Sequence, residues 1–381
     1  MEEENERSNQ NKETLVEQIS NKLINGNLEM KIQAAKELKS VIRSRNSGVN
    51  IRAKFASAGV IEPLVMMIHE NHHDDAVEAS LLALLNLASS NERIKEQMVT
   101  CGAIPPLVEL LKFQNTNNLR DLATTTILTL SATPKNKLAI VNSEAIPLLV
   151  QILRCGTSQG KVDAVTTLHN LTTSKKQPTI ILDTTISSPL IDLLKECKKY
   201  SKFAEITTGL IKIISKSQEG ITSITNAENG ILTLVETIED GSLLSKEHTV
   251  SVLLTLCMSS RNKYRKLILD EGPIPGLLRL TRYGTCKARS KAKMLLDLLR
   301  DSPLEKKLTQ SVLEKMVRKI ADRANESRKR TVESAKILLQ DMVQIRMTMA
   351  TGTFYYIFDV AFKGQLCMAI YNVKYYHSKI A

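Results

Sequence analysis

Two groups of side chains carry whatever chemistry this chain has. The first is His69-Glu70-Asn71-His72-His73-Asp74-Asp75, a run of imidazoles and carboxylates dense enough to attract zinc or nickel. A metal site needs ligands fixed by regular elements and by hydrogen bonds behind them. This run reads as a polar connection between helices, so no metal is expected, and no other cofactor. The second group is a file of polar residues: Asn86, Thr129, Asn170, Lys212, Thr255 and Asp297. One helical turn earlier on the same face stand Leu82, Thr125, Thr166, Thr208, Ser251 and Lys293. Small polar side chains at a fixed rise suit an extended peptide. An asparagine amide donates to a peptide carbonyl and accepts from a peptide N–H at once, and Lys212 and Lys293 would supply positive charge. Catalytic signatures are missing: there is no G-x-S-x-G, phosphate-binding loop, dinucleotide fingerprint or H-E-x-x-H. His169 is assigned to surface packing, and no small-molecule substrate is expected.

The elements that position this file repeat. Cys101-Gly102-Ala103-Ile104-Pro105-Pro106-Leu107-Val108-Glu109-Leu110-Leu111-Lys112 reads as a helix ending at a glycine, followed by a helix with proline in its first turn. Copies begin at Gly59, Ala145 and Gly272, with weaker ones at Ser188 and Gly230. Their marker residues Leu64, Leu107, Leu149, Leu190, Leu234 and Leu277 are 43, 42, 41, 44 and 43 residues apart. A period this steady predicts a stacked helical solenoid. The closing helices are expected at Ala76–Ser89, Leu119–Ala132, Gly160–Thr173, Ser201–Ser215, Lys246–Ser259 and Lys287–Arg300. They align without gaps on Leu87, Leu130, Leu171, Ile213, Leu256 and Leu298. In such superhelices the closing helices line the concave inner surface.

The domain reading follows. Residues 1–13 are polar, charged and expected to be unfolded. Residues 14–47 form an N-terminal cap, and six repeats fill 48–302. Residues 303–344 supply a C-terminal helical cap. From 345 to 381 the pattern is abandoned, and eight of the chain's 14 aromatic residues crowd into positions 354–376. That tail is expected to be a poorly ordered appendage.

Composition narrows the function. The formal charge is +12, and about two thirds of the excess lies in residues 286–346, with 16 basic and 8 acidic side chains. A basic surface invites acidic partners; the run Arg328-Lys329-Arg330 is read as a solvated helix start. The six cysteines are scattered and form no C-x-x-C pair, which fits reduced thiols in the cytoplasm or nucleus. The acidic N-terminus does not look like a secretory leader, and no window reaches the ~18 to 20 apolar residues of a membrane span.

At Gly102–Leu111 and Met258–Arg300, the latter with Glu271-Gly272-Pro273-Ile274-Pro275-Gly276-Leu277-Leu278, the chain resembles the armadillo family. It is most similar to the armadillo region of plant U-box ubiquitin ligases and their armadillo-only relatives, and Leu338–Gln344 resembles that group's tail. Three helices per unit with a short first one also favour armadillo over two-helix HEAT units. The resemblance covers roughly 14–344 and implies an all-α, right-handed armadillo superhelix with helical caps at both ends, acting as a non-catalytic scaffold linked to the ubiquitin pathway. Residues 1–58 contain no Cys, Pro or Trp, so no U-box is expected, and the family's contact with ubiquitin-conjugating enzymes is not carried over. The armadillo adaptor importin alpha pairs a tryptophan with each groove asparagine. This chain has no tryptophan and keeps asparagine only at Asn86 and Asn170, so that mode of recognition is not expected. The expected partner is an extended acidic segment of another protein. The rival readings are a ubiquitin ligase acting in its own right and a nucleic-acid or membrane-surface binder using residues 286–346. Nucleic acid is disfavoured because that stretch lacks interleaved aromatics.

Overall fold

The computed structural model describes residues 2–43, 49–69, 73–89, 91–112, 117–173 and 184–300, with side chains described from Glu13 onward except at Val49, Asn50, Asn117 and Thr184. The expected C-terminal cap, the aromatic tail, Arg328-Lys329-Arg330 and the centre of the His69–Asp75 run lie outside the described residues. Among the described residues all regular structure is helical.

The first helix, α1, runs Glu2–Asn25, which corrects the expected unfolded start. The run from Glu2 to Asn11 contains no glycine or proline to break a helix. Its three leading glutamates also sit at the end of the helix dipole that favours negative charge. Helix α2 (Leu28–Arg43) buries Ala34, Ala35, Leu38 and Ile42.

Six units follow, each with a middle and a closing helix and, in all but the fourth among the described residues, an opening helix. The first is α3 (Val49–Ser57), α4 (Ile61–His69) and α5 (Asp74–Ala88); the second is α6 (Glu92–Thr100), α7 (Ile104–Lys112) and α8 (Asn117–Ser131). The third opens on a 3-10 turn at Pro134–Asn136 and α9 (Lys137–Val141), then α10 (Ala145–Cys155) and α11 (Ser158–Thr172). The fourth enters the described residues at a 3-10 turn, Thr184–Ile186, followed by α12 (Ser187–Glu196) and α13 (Lys202–Ile214). The fifth is α14 (Gln218–Asn226), α15 (Gly230–Asp240) and α16 (Leu243–Ser259). The sixth is α17 (Arg261–Asp270), α18 (Ile274–Tyr283) and α19 (Cys286–Leu299).

The turn from opening to middle helix demands a left-handed residue. Gly59, Gly102 and Gly272 take φ of +82°, +83° and +72°, and Asn229 takes +55° at the same place in the fifth unit. Glycine meets no steric penalty there, and asparagine tolerates it best among the other residues. In the third unit the chain bends by 86° between Pro134–Val141 and Ala145–Cys155. No single described helix is long and apolar enough to cross a membrane.

All six marker leucines, Leu64 through Leu277, are fully buried. Each unit is too small to shield them alone. The closing helices pack side by side in the order α2, α5, α8, α11, α13, α16, α19, so that α2 takes the closing position of the cap. A continuous core runs beneath this ladder. Cys257 lies in it, where burial pushes its thiol to about 11, out of the range of a reactive cysteine.

Candidate functional site

The candidate site is the wall formed by the closing helices. Their starts are set by hydroxyl caps: Thr157 accepts from Gly160 N at 3.0 Å, Ser242 from Ser245 N at 3.2 Å and Thr285 from Ala288 N at 3.1 Å. Each of these hydroxyls also donates to a carboxylate on the preceding closing helix. Thr157 reaches Asp121 Oδ2 at 2.7 Å, Ser242 reaches Glu205 Oε1 at 2.7 Å, and Thr285 reaches Glu247 Oε2 at 2.5 Å. One side chain therefore caps its own helix and pins it to its neighbour. Sequence reasoning missed this clasp, although the signal was present: Ser or Thr before each helix, with an acid 36 to 38 residues earlier.

The other ends are held by cations from the opening helices. Arg52 Nε donates to Asn86 O at 3.1 Å, Arg261 Nε donates to Leu298 O at 2.8 Å, and the Lys137 ammonium donates to Asn170 O. A cation at the carbonyl end of a helix meets both unsatisfied acceptors and the negative end of the dipole.

Along this wall the expected residues fall into three groups. Leu82, Asn86, Thr125, Thr129, Thr166, Asn170, Lys212 and Thr255 are half-buried, with part of each side chain open to solvent. Thr208 and Ser251 are buried, at 0% and 6% exposure. Thr208 lies 3.4 Å from His248 Nδ1, and Ser251 accepts from Lys291 Nζ at 2.6 Å. Lys293 and Asp297 are exposed, and Asp297 faces Arg300 at 3.4 Å.

The hydroxyls are partly committed. Thr129, Thr166, Thr208, Ser251 and Thr255 each donate to the carbonyl four residues back, at 2.6–2.9 Å. Thr125 shares its proton between Asp121 O at 3.0 Å and Asp163 Oδ2 at 2.5 Å. With their protons turned inward, these side chains present lone pairs outward. Asn86 donates to Leu82 O at 2.7 Å, and Asn170 donates to Ser131 Oγ at 3.0 Å across the repeat boundary. Each asparagine keeps its carbonyl oxygen and a second N–H. The wall is thus richer in acceptors than its residue types suggest. It suits the N–H groups of an extended backbone better than its carbonyls.

Midway along, Gly209 on α13 leaves room for two imidazoles. A Cβ there would sit 3.4 Å from His169 of α11 and 3.4 Å from His248 of α16. Burial, then the Lys202 and Lys137 charges, lower the pKa of His169. Burial and Lys212 lower that of His248, against a hydrogen bond to Glu205 O and the Glu247 charge. Glu205 is itself held below the usual carboxylate range by hydrogen bonds from Lys202 and Ser242. The signs agree. A histidine depressed in the folded chain lets the unfolded chain take up protons first, and a depressed carboxylate does the same. Stability should therefore fall as pH drops below about 6.5, the ordinary histidine value. The urea midpoint is expected to be lower at about pH 5.5 than at about pH 7.5, and His248→Gln should lessen the difference. An unchanged or rising midpoint would contradict this assignment.

Residues 1–164 match the family described as the plant U-box protein ARM repeat region. That match covers the cap and the first units of a ladder whose described closing helices run on to Leu299. The fold is an armadillo-repeat solenoid. It is similar to U-box domain-containing protein 45 of Arabidopsis thaliana, with 29% identity over 248 residues, 64% of this chain and 31% of that protein. It is also similar to U-box domain-containing protein 4 of Oryza sativa subsp. japonica, with 29% identity over 313 residues, 69% and 41% of the two chains. Putative U-box domain-containing protein 47 of Arabidopsis thaliana is 25% identical over 297 residues, 75% and 65% of the two chains. The chain spans about a third or less of the length of the first curated relatives it matches. The crystal structure of an engineered protein from the Northeast Structural Genomics Consortium superposes with a TM-score of 0.59 at 18% identity, covering 89% of this chain and 85% of that one. That likeness shows a shared fold and nothing more.

The armadillo ladder has no group of three His, Cys, Asp or Glu side chains placed to hold a metal among its described residues.

Proposed function

We propose that this armadillo protein is a non-catalytic interaction scaffold of the cytoplasm or nucleus, whose closing-helix wall holds an extended, acidic segment of a partner protein. Its place in the ubiquitin pathway would be recognition or regulation. The observation that carries this reading is the file of half-buried polar side chains on consecutive closing helices, acceptor-rich where a peptide backbone offers N–H groups. Lys212 brings positive charge to the same wall. The partner would be captured with the intact chain, its binding segment mapped, and the segment titrated calorimetrically. Asn86→Ala with Asn170→Ala should weaken binding by about 1–3 kcal/mol, with the helical signal retained. Unchanged affinity would remove the groove.

The names of the relatives favour one second reading, ubiquitin ligation by this protein itself. Autoubiquitination with purified components decides it. The scaffold reading expects none.

A further inference from the structure

The described part of the wall is most strongly basic over its last three closing helices. Lys291 leaves α19 and reaches back to α16, where its ammonium donates to Ser251 Oγ at 2.6 Å. Lys212 stands on α13, which packs against the other side of α16. Lys212 is half-buried as a residue, and its ammonium makes no hydrogen bond or ion pair among the described residues. Burial lowers its pKa, and Lys291 is the strongest of the charges that add to this, ahead of Lys216 and Lys287. Glu247 is the carboxylate that opposes them, and it already accepts from Thr285 at 2.5 Å. Four ammonium groups therefore act on one stretch of wall against a single engaged carboxylate. Holding a half-buried cation beside others is unfavourable unless an anion joins them.

We infer that this place takes a phosphomonoester on a serine or threonine of the bound segment, with Lys212 and Lys291 as the two ammonium groups that grip it. The inference rests on the groove reading and names what one position of the segment carries. A single carboxylate brings only one negative charge against two ammonium groups. A phosphomonoester brings about −1.5 to −2 charges and three acceptor oxygens at neutral pH, enough for both lysines. Charge-assisted hydrogen bonds to such an oxyanion are roughly twice as strong as neutral ones. The acceptor-rich wall on α8 and α11 would hold the flanking backbone.

The test uses the full chain and three bead-bound peptide libraries, each with a fixed central residue and flanks of mixed Glu, Asp, Gly and Ser. The central residue is phosphoserine, serine or glutamate, and retention is measured at about 0.15 M salt. Phosphoserine beads are expected to retain the chain about tenfold more strongly than serine beads, and more strongly than glutamate beads. Lys212→Gln with Lys291→Gln should abolish that preference, bringing retention on phosphoserine beads down to that on serine beads, while the variant melts as the parent does. Equal retention on all three libraries overturns the phosphate site and leaves the groove standing. A preference that survives in the double variant overturns the two lysines as its source. No retention on any library overturns the groove reading and this inference with it.

Discussion

Replacing Tyr264 by alanine should destabilise the chain by about 3–5 kcal/mol. Tyr264 heads the fully buried side chains when these are ranked by size, and it lies in α17 between the closing helices α16 and α19 that the opening helix packs against. The Lys263 ammonium lies 5.0 Å from its ring centroid. Alanine would leave a void that rigid helices fill only in part. Phenylalanine should behave in the opposite way. The Tyr264 hydroxyl is buried and finds no hydrogen-bond partner among the described residues. A buried polar group left unsatisfied is unfavourable by about 1–3 kcal/mol. Tyr264→Phe keeps the ring and removes that penalty, so its midpoint should match or exceed the parent's. Urea unfolding followed by circular dichroism reads both variants. Because each repeat touches only its neighbours, hydrogen exchange in the alanine variant should rise more in α17–α19 than in α4–α8. A phenylalanine variant as unstable as the alanine one would refute this account of the site.

Gly220→Ala is the next largest effect, through a close approach of two backbones. A methyl carbon on Gly220 would stand 2.0 Å from the carbonyl oxygen of Ile214 and 2.8 Å from its carbonyl carbon. Ile214 closes α13, and Gly220 lies in the first turn of α14, where its N–H donates to the Ser217 cap at 3.0 Å. Carbon and oxygen settle no closer than about 3.3 Å, so the two helices would have to separate at the junction of the fourth and fifth units. Such overpacking costs about 1–3 kcal/mol. Gly102→Ala is the contrast: nothing lies within 4 Å of its added carbon, and only the φ of +83° opposes it. Chemical denaturation of both variants separates a steric penalty from a backbone one. Gly220→Ala as stable as the parent would mean that this junction yields freely.

The repeat was readable in the sequence because stacking constrains composition directly. Leu64 through Leu277 had to be apolar at a constant step, and each is fully buried. The expected closing helices match α5, α8, α11, α13, α16 and α19 to within three residues at each end. The start of α1 was misread because a charged stretch without a visible apolar stripe resembles an unfolded one. Residue type picked out positions on the closing helices but not the state of their hydrogen bonds. Thr129 and Thr255 look like free donors in a sequence, yet their protons turn to carbonyls of their own helices. Nor does a list of side chains show reach. Lys293 was the expected cation of the sixth unit, whereas Lys291 is the one that touches the neighbouring helix. The pairing of His169 with His248 around Gly209 was hidden for the same reason, since three residues some forty apart meet only once the units stack.

The central claim is that the closing helices form the surface on which a partner segment lies. Photo-crosslinking from single positions tests it most directly, with the phosphoserine peptide library as ligand. The photoreactive residue would replace Thr129, Thr166 or Thr255 on the wall, and Gln218 or Lys263 on the opening helices α14 and α17. The account predicts crosslinks from the three wall positions and none from the two opening-helix positions. Crosslinks confined to Gln218 or Lys263 would contradict it.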